Sequence, residues 1–239
     1  MMSVGSMLLL GFLGSMFTMG FSGQIGMSES FSNSMDGIRF LWDHVLAGCV
    51  GVGLFVFFML ASVLMSKNIN LYLWSANKIE FWWTLVPAFI LFFLAIPSLH
   101  FLYLNNQMGG VMLDVKVIGH QWYWAFEVLG YEYDSFMIMD SDLEFGERRL
   151  MEVDNPLVIP FKTPLRFLVT GADVIHSWFI PSLGLKVDGV PGRSNASFLE
   201  VNGPGTFYGG CAEMCGVHHS HMPGVTEVVH PMDLGYFFL

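Results

Sequence analysis

The stretch VLAGCVGVGLFVFFMLASVLM, residues 45–65, contains 21 residues and no Asp, Glu, Lys or Arg. A second uncharged run of 19 residues, FWWTLVPAFILFFLAIPSL, occupies residues 81–99. An α-helix rises about 1.5 Å per residue, so each run is long enough to cross a hydrocarbon layer of about 30 Å. Pro87 and Pro97 would break a soluble helix, but membrane helices tolerate proline. The runs predict a transmembrane hairpin, and the weaker alternative is two buried helices of a soluble protein.

Composition and charge agree with a membrane anchor. Of the 239 residues, 54% are hydrophobic and 13% are charged, unlike an ordinary soluble domain. Residues 1–38 contain no Lys or Arg, whereas the loop between the two runs carries Lys67 and Lys78. The positive-inside rule then places this loop in the matrix or cytoplasm and both termini on the opposite side.

After the second run the pattern changes to alternation of apolar and polar residues. In VMLDVKVI, residues 111–118, the side chains of Leu113, Val115 and Val117 fall on one face, as in a half-buried strand. Similar short runs, separated by turn residues, follow at 157–159, 165–170, 178–180, 185–190, 197–201, 206–208 and 225–229. This punctuation predicts an all-β sandwich or Greek-key barrel.

Three parts are expected along the chain: an N-terminal extension (1–38), the hairpin (39–104) and the β domain (105–239). Within the first part, the short apolar segment 7–21 is interpreted as an interfacial or partner-packed extension rather than a third span. Residues 105–239 carry 16 Asp and Glu against 7 Lys and Arg, a net charge of −9. This balance argues against nucleic acid and fits either a basic partner or simple solubility.

The string CAEMCGVHHSHM, residues 211–222, indicates a metal centre. Cys211, Cys215, His219 and Met222 follow one another at spacings of four, four and three residues. A thioether favours copper over zinc, and a second cysteine suggests two metals bridged by two sulfurs. His176, 35 residues before Cys211 in the string GADVIHSW, is a candidate fifth ligand. A Cys211–Cys215 disulfide is the strongest alternative, but it leaves the histidine and methionine unexplained.

Several motifs in one order resemble subunit II of haem–copper cytochrome c oxidases. They are C-A-E-M-C-G-x-x-H-S-x-M, D-V-x-H-S-W, P-S-L-G-L-K-x-D-x-x-P-G-R, G-H-Q-W-Y-W and E-F-W-W-T-L-V-P-A, and the likeness runs from Asp43 to the end. The resemblance implies two transmembrane helices followed by a cupredoxin-like Greek-key β-barrel that carries the dinuclear copper centre CuA.

The resemblance also implies a role for each site residue. The copper ligands would be the imidazoles of His176 and His219, the bridging thiolates of Cys211 and Cys215, the weakly bound thioether of Met222 and the backbone carbonyl of Glu213. The Glu213 side chain would help to hold a Mg²⁺ shared with the catalytic subunit I. Spacing selects His219, so His218 and His221 are interpreted as surface or packing residues.

The same resemblance implies roles for two residues outside the copper loop, which is the name used here for residues 211–222. Trp122 would be the exposed ring that receives the electron from cytochrome c, while Trp124 would pack. Glu80, at the matrix end of the second span, would lie at the mouth of a proton path, although a helix-end carboxylate is usually a solvated cap. The acidic residues that could steer a lysine-rich cytochrome c are Asp134, Asp140, Asp142, Glu144, Glu147 and Asp173.

The sequence therefore predicts the electron-transfer subunit of a terminal respiratory oxidase. It would take electrons from reduced cytochrome c at CuA and pass them to haem in subunit I, which reduces oxygen to water; this chain alone would perform no oxygen chemistry. The alternatives are a copper-free quinol-oxidase subunit II and a membrane-tethered copper carrier or assembly factor. Heavy use of Phe and Met with few Lys and Arg predicts the mitochondrial inner membrane rather than a bacterial plasma membrane. With the loop between the helices in the matrix, the C-terminal domain is expected in the intermembrane space. Its stable partners would be subunit I, other oxidase subunits and membrane lipid.

Overall fold

A computed structural model describes residues 27–68, 70–72, 74–106 and 109–238. The segment 7–21, predicted to be interfacial, lies outside these residues. The chain forms two compact units, one made of Gly37–Asn105 and the other of Met1–Asp36 together with Asn106–Leu239.

Two long helices contain the uncharged runs. Helix α1 spans Asn33–Met65 and helix α2 spans Asn77–Asn105. Both are long and apolar enough to cross a membrane, and their apolar side chains are exposed rather than buried in the protein. Pro87 and Pro97 lie inside α2 without ending it. The prediction of two membrane-length helices is confirmed.

The beginning of α1 belongs to the β unit and is tied to it by Ser32. The buried Ser32 hydroxyl accepts the Met35 N–H at 3.0 Å, as a helix N-cap does, and donates to the Leu183 carbonyl at 2.6 Å. The backbone of Ser32 also forms an antiparallel bridge with Val201. The residues just before the helix are therefore held by the β domain through backbone and side-chain hydrogen bonds.

The described part of the β unit is built from ten strands. They are β1 (Leu113–His120), β2 (Tyr123–Val128), β3 (Tyr131–Ser135), β4 (Leu157–Pro160), β5 (Leu165–Gly171), β6 (His176–Ile180), β7 (Leu185–Gly189), β8 (Asn195–Leu199), β9 (Gly205–Cys211) and β10 (Pro223–Val229). One sheet has the order β3-β2-β1-β5-β8 and the other the order β4-β10-β9-β6-β7. The β1–β5 and β4–β10 pairs are parallel and the remaining pairs are antiparallel. The predicted all-β sandwich is confirmed.

The core lies between the two sheets and follows the period of two read from the sequence. Val115 and Val117 on β1 are fully buried, and Trp124 on β2 packs edge to face on Trp178 of β6, with ring centroids 4.8 Å apart. Burial of such large apolar side chains is the main force that holds the sheets together.

Strand bounds differ from the predicted runs where backbone pairing extends or shortens them. Strand β6 begins at His176, two residues before the predicted run, and β9 continues to Cys211, three residues beyond it. Strand β8 ends at Leu199 because Val201 pairs with the N-terminal segment instead. Strands β2 and β3 were not among the predicted runs, although β2 alternates between buried and partly buried residues.

Candidate metal centre

Neighbouring strands bring the two ends of the site together. Strand β6 pairs with β9, with Trp178 opposite Cys211, so His176 at the start of β6 lies beside Cys211 at the end of β9. Strand β9 also pairs with β10, so the loop between them must return within a few residues of Cys211. That loop carries Cys215 and the short 3₁₀ turn His219–His221. Backbone topology therefore concentrates the candidate ligands at one end of the sandwich.

The two thiols lie at the centre of the cluster. The Cys211 sulfur is 3.9 Å from His176 Nδ1 and 3.9 Å from the Cys215 sulfur. The Cys215 sulfur is in turn 3.6 Å from His219 Nδ1 and 3.5 Å from Met222 Sδ. The ligand atoms of His176, Cys211 and Cys215 all lie within 4.8 Å of one another, close enough to hold a metal ion.

The backbone carbonyl of Glu213 lies at the edge of the same cluster. It accepts a hydrogen bond from the Cys211 thiol at 3.2 Å, while the residue as a whole is exposed. The fold thus brings together the five side chains and the one carbonyl that were predicted from the sequence to be ligands.

The chemistry of the two cysteines fits a soft cation better than it fits a disulfide. Both are free thiols, and their separation of 3.9 Å is far longer than a disulfide bond of about 2 Å. Burial, and then the neighbouring Cys211, raise the pKa of the Cys215 thiol to about 12. Because burial and mutual repulsion oppose two thiolates, the pair requires positive charge to ionise at neutral pH. Two sulfurs, two imidazoles and a thioether suit copper.

Asp173 orients the buried His176 ring. One oxygen of the carboxylate accepts from His176 Nε2 at 2.8 Å and from the Val174 N–H at 2.6 Å, and the other accepts from the Gln121 N–H at 2.7 Å. Burial acts to raise the pKa of Asp173, but these hydrogen bonds outweigh it, so the pKa lies below its usual value. The ionised carboxylate holds the proton on Nε2, which leaves Nδ1 free to face the sulfurs.

Trp122 lies against the loop that carries Cys215. A side chain at Gly216 would meet the Trp122 ring at 3.0 Å, and Gly216 has φ of +133°, so this position favours glycine twice over. The Gln121 side-chain amide donates to the Cys215 carbonyl at 2.7 Å and ties the β1–β2 turn to the loop. The Trp122 ring is half-buried and not exposed as expected, because it packs against the core and against Gly216, the residue after Cys215.

The remaining predicted residues lie outside the cluster. His218 and His221 are exposed, whereas His219 is partly buried beside Cys215, as its spacing predicted. Glu80 is an exposed residue in the first turn of α2, in the other unit. Two contacts were missed from the sequence: Asp173 appeared there only as a surface acid, and Gln121 was not singled out. The D-x-x-H spacing of Asp173 and His176 could have indicated the first.

Fold and site together define a class: a β-sandwich of the cupredoxin-like kind, preceded by two membrane-length helices and carrying a candidate site for soft metals. Residues 113–229 match the family described as cytochrome c oxidase subunit II, periplasmic domain. Residues 20–101 match the transmembrane domain of the same subunit.

Individual relatives agree with this class. The chain is 44% identical over 209 residues to cytochrome c oxidase subunit 2 of Branchiostoma floridae, covering 86% of this chain and 91% of the relative. It is 42% identical over 206 residues to the subunit of Simulium vittatum, covering 85% and 90%. A solved periplasmic domain of subunit II from Bradyrhizobium japonicum superposes with a TM-score of 0.51 and 36% identity, covering 55% of this chain and 94% of that one.

The chain belongs to the cytochrome c oxidase subunit II family. It is thus a membrane protein and an electron-transfer subunit of a haem–copper oxidase, associated with other oxidase subunits. The family implies the copper centre CuA, and the cluster of His176, Cys211 and Cys215 could bind metal. The animal relatives point to the mitochondrial inner membrane.

Proposed function

We propose that this chain is the subunit through which a basic, reduced cytochrome c delivers single electrons to the oxidase, for onward transfer to haem in subunit I and reduction of oxygen to water. The observation that carries the proposal is the position of the Cys215 sulfur, within 4 Å of the Cys211 sulfur, His219 Nδ1 and Met222 Sδ. A site with both thiols and a thioether has little use other than holding copper.

We further propose a role for each ligand. The thiolates of Cys211 and Cys215 and the imidazoles of His176 and His219 would hold the copper, and the Met222 thioether and the Glu213 carbonyl would bind it weakly. When bound, a copper pair of this kind supplies a one-electron redox centre. The protein keeps water out, because His176, Cys215 and Met222 are all buried, and it fixes the His176 ring through Asp173.

Trp122 is proposed as the docking and electron-accepting ring. Support comes from its contact with the backbone at Gly216, adjacent to Cys215. Its indole N–H is buried and has no hydrogen-bond acceptor in the part of the chain that the structure describes. The ring is therefore held by packing against the copper loop and not by a polar partner of its own.

The surroundings of the subunit are proposed on the same basis. The exposed Glu213 side chain would hold Mg²⁺ together with subunit I, since a carboxylate suits this hard ion. Lys67 and Lys78 favour a matrix location for the loop between the helices, which puts the β domain in the intermembrane space. Along the chain we propose an extension (1–38), a hairpin (39–104) and a copper domain (105–239).

Optical and electron paramagnetic resonance spectra of the purified protein test the central proposal. A mixed-valence copper pair is expected, with two copper ions per chain. A single blue copper, or a chain without copper that is still active with quinol, would contradict it. Copper that exchanges readily with a chelator while no cytochrome c is oxidised would favour the copper carrier instead.

Glu80 is proposed to lie at the mouth of a proton path, and it has its own test. The residue is exposed at the beginning of α2, where its carboxylate can take up a proton from water. We expect Glu80→Gln to slow haem reduction in the assembled oxidase, measured by stopped-flow absorbance, with the CuA spectrum intact. Lys78→Gln is the matched control in the same turn. An unchanged rate in the glutamine variant would leave Glu80 as a solvated helix cap.

A further inference from the structure

Two histidines on the rim of the copper loop are not used by the proposed function. His218 precedes and His221 ends the 3₁₀ turn His219–His221, and both residues are exposed. Their ring centroids are 5.6 Å apart, with an angle of 87° between the ring planes. The histidine between them, His219, turns the other way, because its Nδ1 lies 3.6 Å from the Cys215 sulfur.

The separation of the two exposed rings suits one shared metal ion. A metal–nitrogen bond of about 2 Å places an ion about 3 Å from each ring centroid, so two rings on one ion can be up to about 6 Å apart. The observed 5.6 Å falls within this limit; the rings meet edge to face at 87°, so they are not stacked on each other. The Ser220 hydroxyl forms a hydrogen bond with His221 Nδ1 at 3.1 Å, which leaves Nε2 as the nitrogen that His221 offers to an ion.

We propose that His218 and His221 form a second, exchangeable binding site for a late first-row divalent cation such as Zn²⁺ or Cu²⁺, separate from the buried copper ligands. Imidazole prefers these ions to Mg²⁺ or Ca²⁺, which select oxygen ligands. Exposure leaves the remaining coordination positions to water, so the ion exchanges with solvent while the buried pair does not.

A cation bound there would act on the delivery of electrons, a consequence that rests on the proposed function. The His218 ring packs edge to face on Trp122, with centroids 4.8 Å apart. An ion on His218 therefore adds positive charge beside the ring on which a basic cytochrome c is proposed to dock. Like charges in a docking surface slow association and weaken binding.

Zinc binding to the purified, assembled oxidase tests the site directly. Equilibrium dialysis with Zn²⁺, in excess Mg²⁺, is compared between the natural chain and the variants His221→Asn and His218→Asn. Zinc sites elsewhere in the oxidase cancel in the difference. We expect one zinc ion per chain to bind at least about tenfold more weakly in either variant, because an ion that loses one of two imidazoles loses half of its protein nitrogen ligands.

His230→Asn is the matched control, because it removes an exposed histidine from the end of β10 instead of from the copper loop. Its zinc binding is expected to equal that of the natural chain. Each variant is first checked for its CuA spectrum; if His218→Asn has lost copper, His221→Asn decides by itself. Equal zinc affinity in the natural chain and in His221→Asn would overturn the proposal.

Steady-state kinetics test the consequence and separate it from the proposed function. With Zn²⁺ present, we expect the KM for a basic cytochrome c to rise at least about threefold at constant kcat, relative to the same protein without zinc. His221→Asn should show no such rise. Zinc bound at the site without any change of KM would overturn the docking effect alone. An oxidase without a CuA spectrum would contradict the proposed function. The dialysis comparison would still show whether His218 and His221 bind zinc.

Discussion

Among single residues, Met222 combines complete burial with a thioether 3.5 Å from the Cys215 sulfur. A weak ligand tunes a centre that stronger ligands hold in place. We therefore expect Met222→Leu, which keeps the volume of the side chain, to retain copper but shift the reduction potential and the optical spectrum. Copper analysis and redox titration measure the two effects separately. Loss of both metal ions from this variant would show that the thioether is needed to hold them.

Asp173 is the residue whose importance the fold reveals. Its carboxylate accepts three hydrogen bonds, one of them from His176 Nε2. In Asp173→Asn an amide N–H₂ must face at least one of these N–H donors, and the negative charge that holds the proton on His176 Nε2 is lost, so we expect the His176 ring to be less firmly held. Copper affinity should fall about 10- to 100-fold, as for other residues that orient metal ligands.

Competition with a copper chelator measures the effect of Asp173→Asn. Asp142→Asn is the matched control, because it removes the same charge from an exposed residue whose carboxylate accepts from Ser141. Equal copper affinity in the two variants would show that Asp173 contributes only surface charge.

Among the elements, strand β1 supports the site through a close approach at Gly119. A Cβ added there would lie 2.6 Å from the His176 ring. We expect Gly119→Ala to displace the ring, destabilise the domain by about 1–3 kcal/mol through overpacking and weaken copper binding. Thermal unfolding and copper content are the measurements.

Gly110→Ala serves as the control for this change, because nothing lies within 4 Å of its added Cβ. It should leave both stability and copper content as they are. A Gly119→Ala protein with full copper content and an unchanged CuA spectrum would mean that the backbone shifts instead of the histidine ring.

The elements also show where sequence reasoning was sufficient. Periods of two and long uncharged runs depend on local burial, so they predicted the helices and most of the strands. The exact ends of β6, β8 and β9 depend on which strand lies beside them, and that is a long-range property. The pairing of Ser32 with Val201, across most of the chain, is of the same kind.

For the whole molecule, the relevant property is the charge of the β domain. Residues 105–239 carry a net charge of −9. In the described part of the chain, three ion pairs involve Lys or Arg: Lys116–Glu127, Arg149–Asp140 and Arg166–Asp114. The remaining net negative charge attracts a basic protein over several ångströms, and the ionic strength sets the range of this attraction.

We expect kcat/KM for a basic cytochrome c to fall at least about tenfold as ionic strength rises from about 0.1 M to about 1 M and the Debye length shrinks from about 10 Å to about 3 Å. Steady-state oxidation of cytochrome c by the assembled oxidase measures the change. A small uncharged electron donor is the control and should show a flat response. A flat response with cytochrome c as well would remove electrostatic steering from the proposal.

Composition, periodicity and the spacing of donors were enough to predict two membrane-length helices, the β-sandwich and a soft-metal site at Cys211, Cys215, His219 and Met222, because these features depend on short stretches of chain. The family resemblance added the Glu213 carbonyl and the role of His176 as a ligand. Tertiary structure alone decided that His176 Nδ1 faces Cys211, that Asp173 holds the opposite nitrogen, and that His218 and His221 share the rim beside Trp122. These arrangements arise where separate strands and loops meet, and their distances are set by packing between segments far apart in the chain.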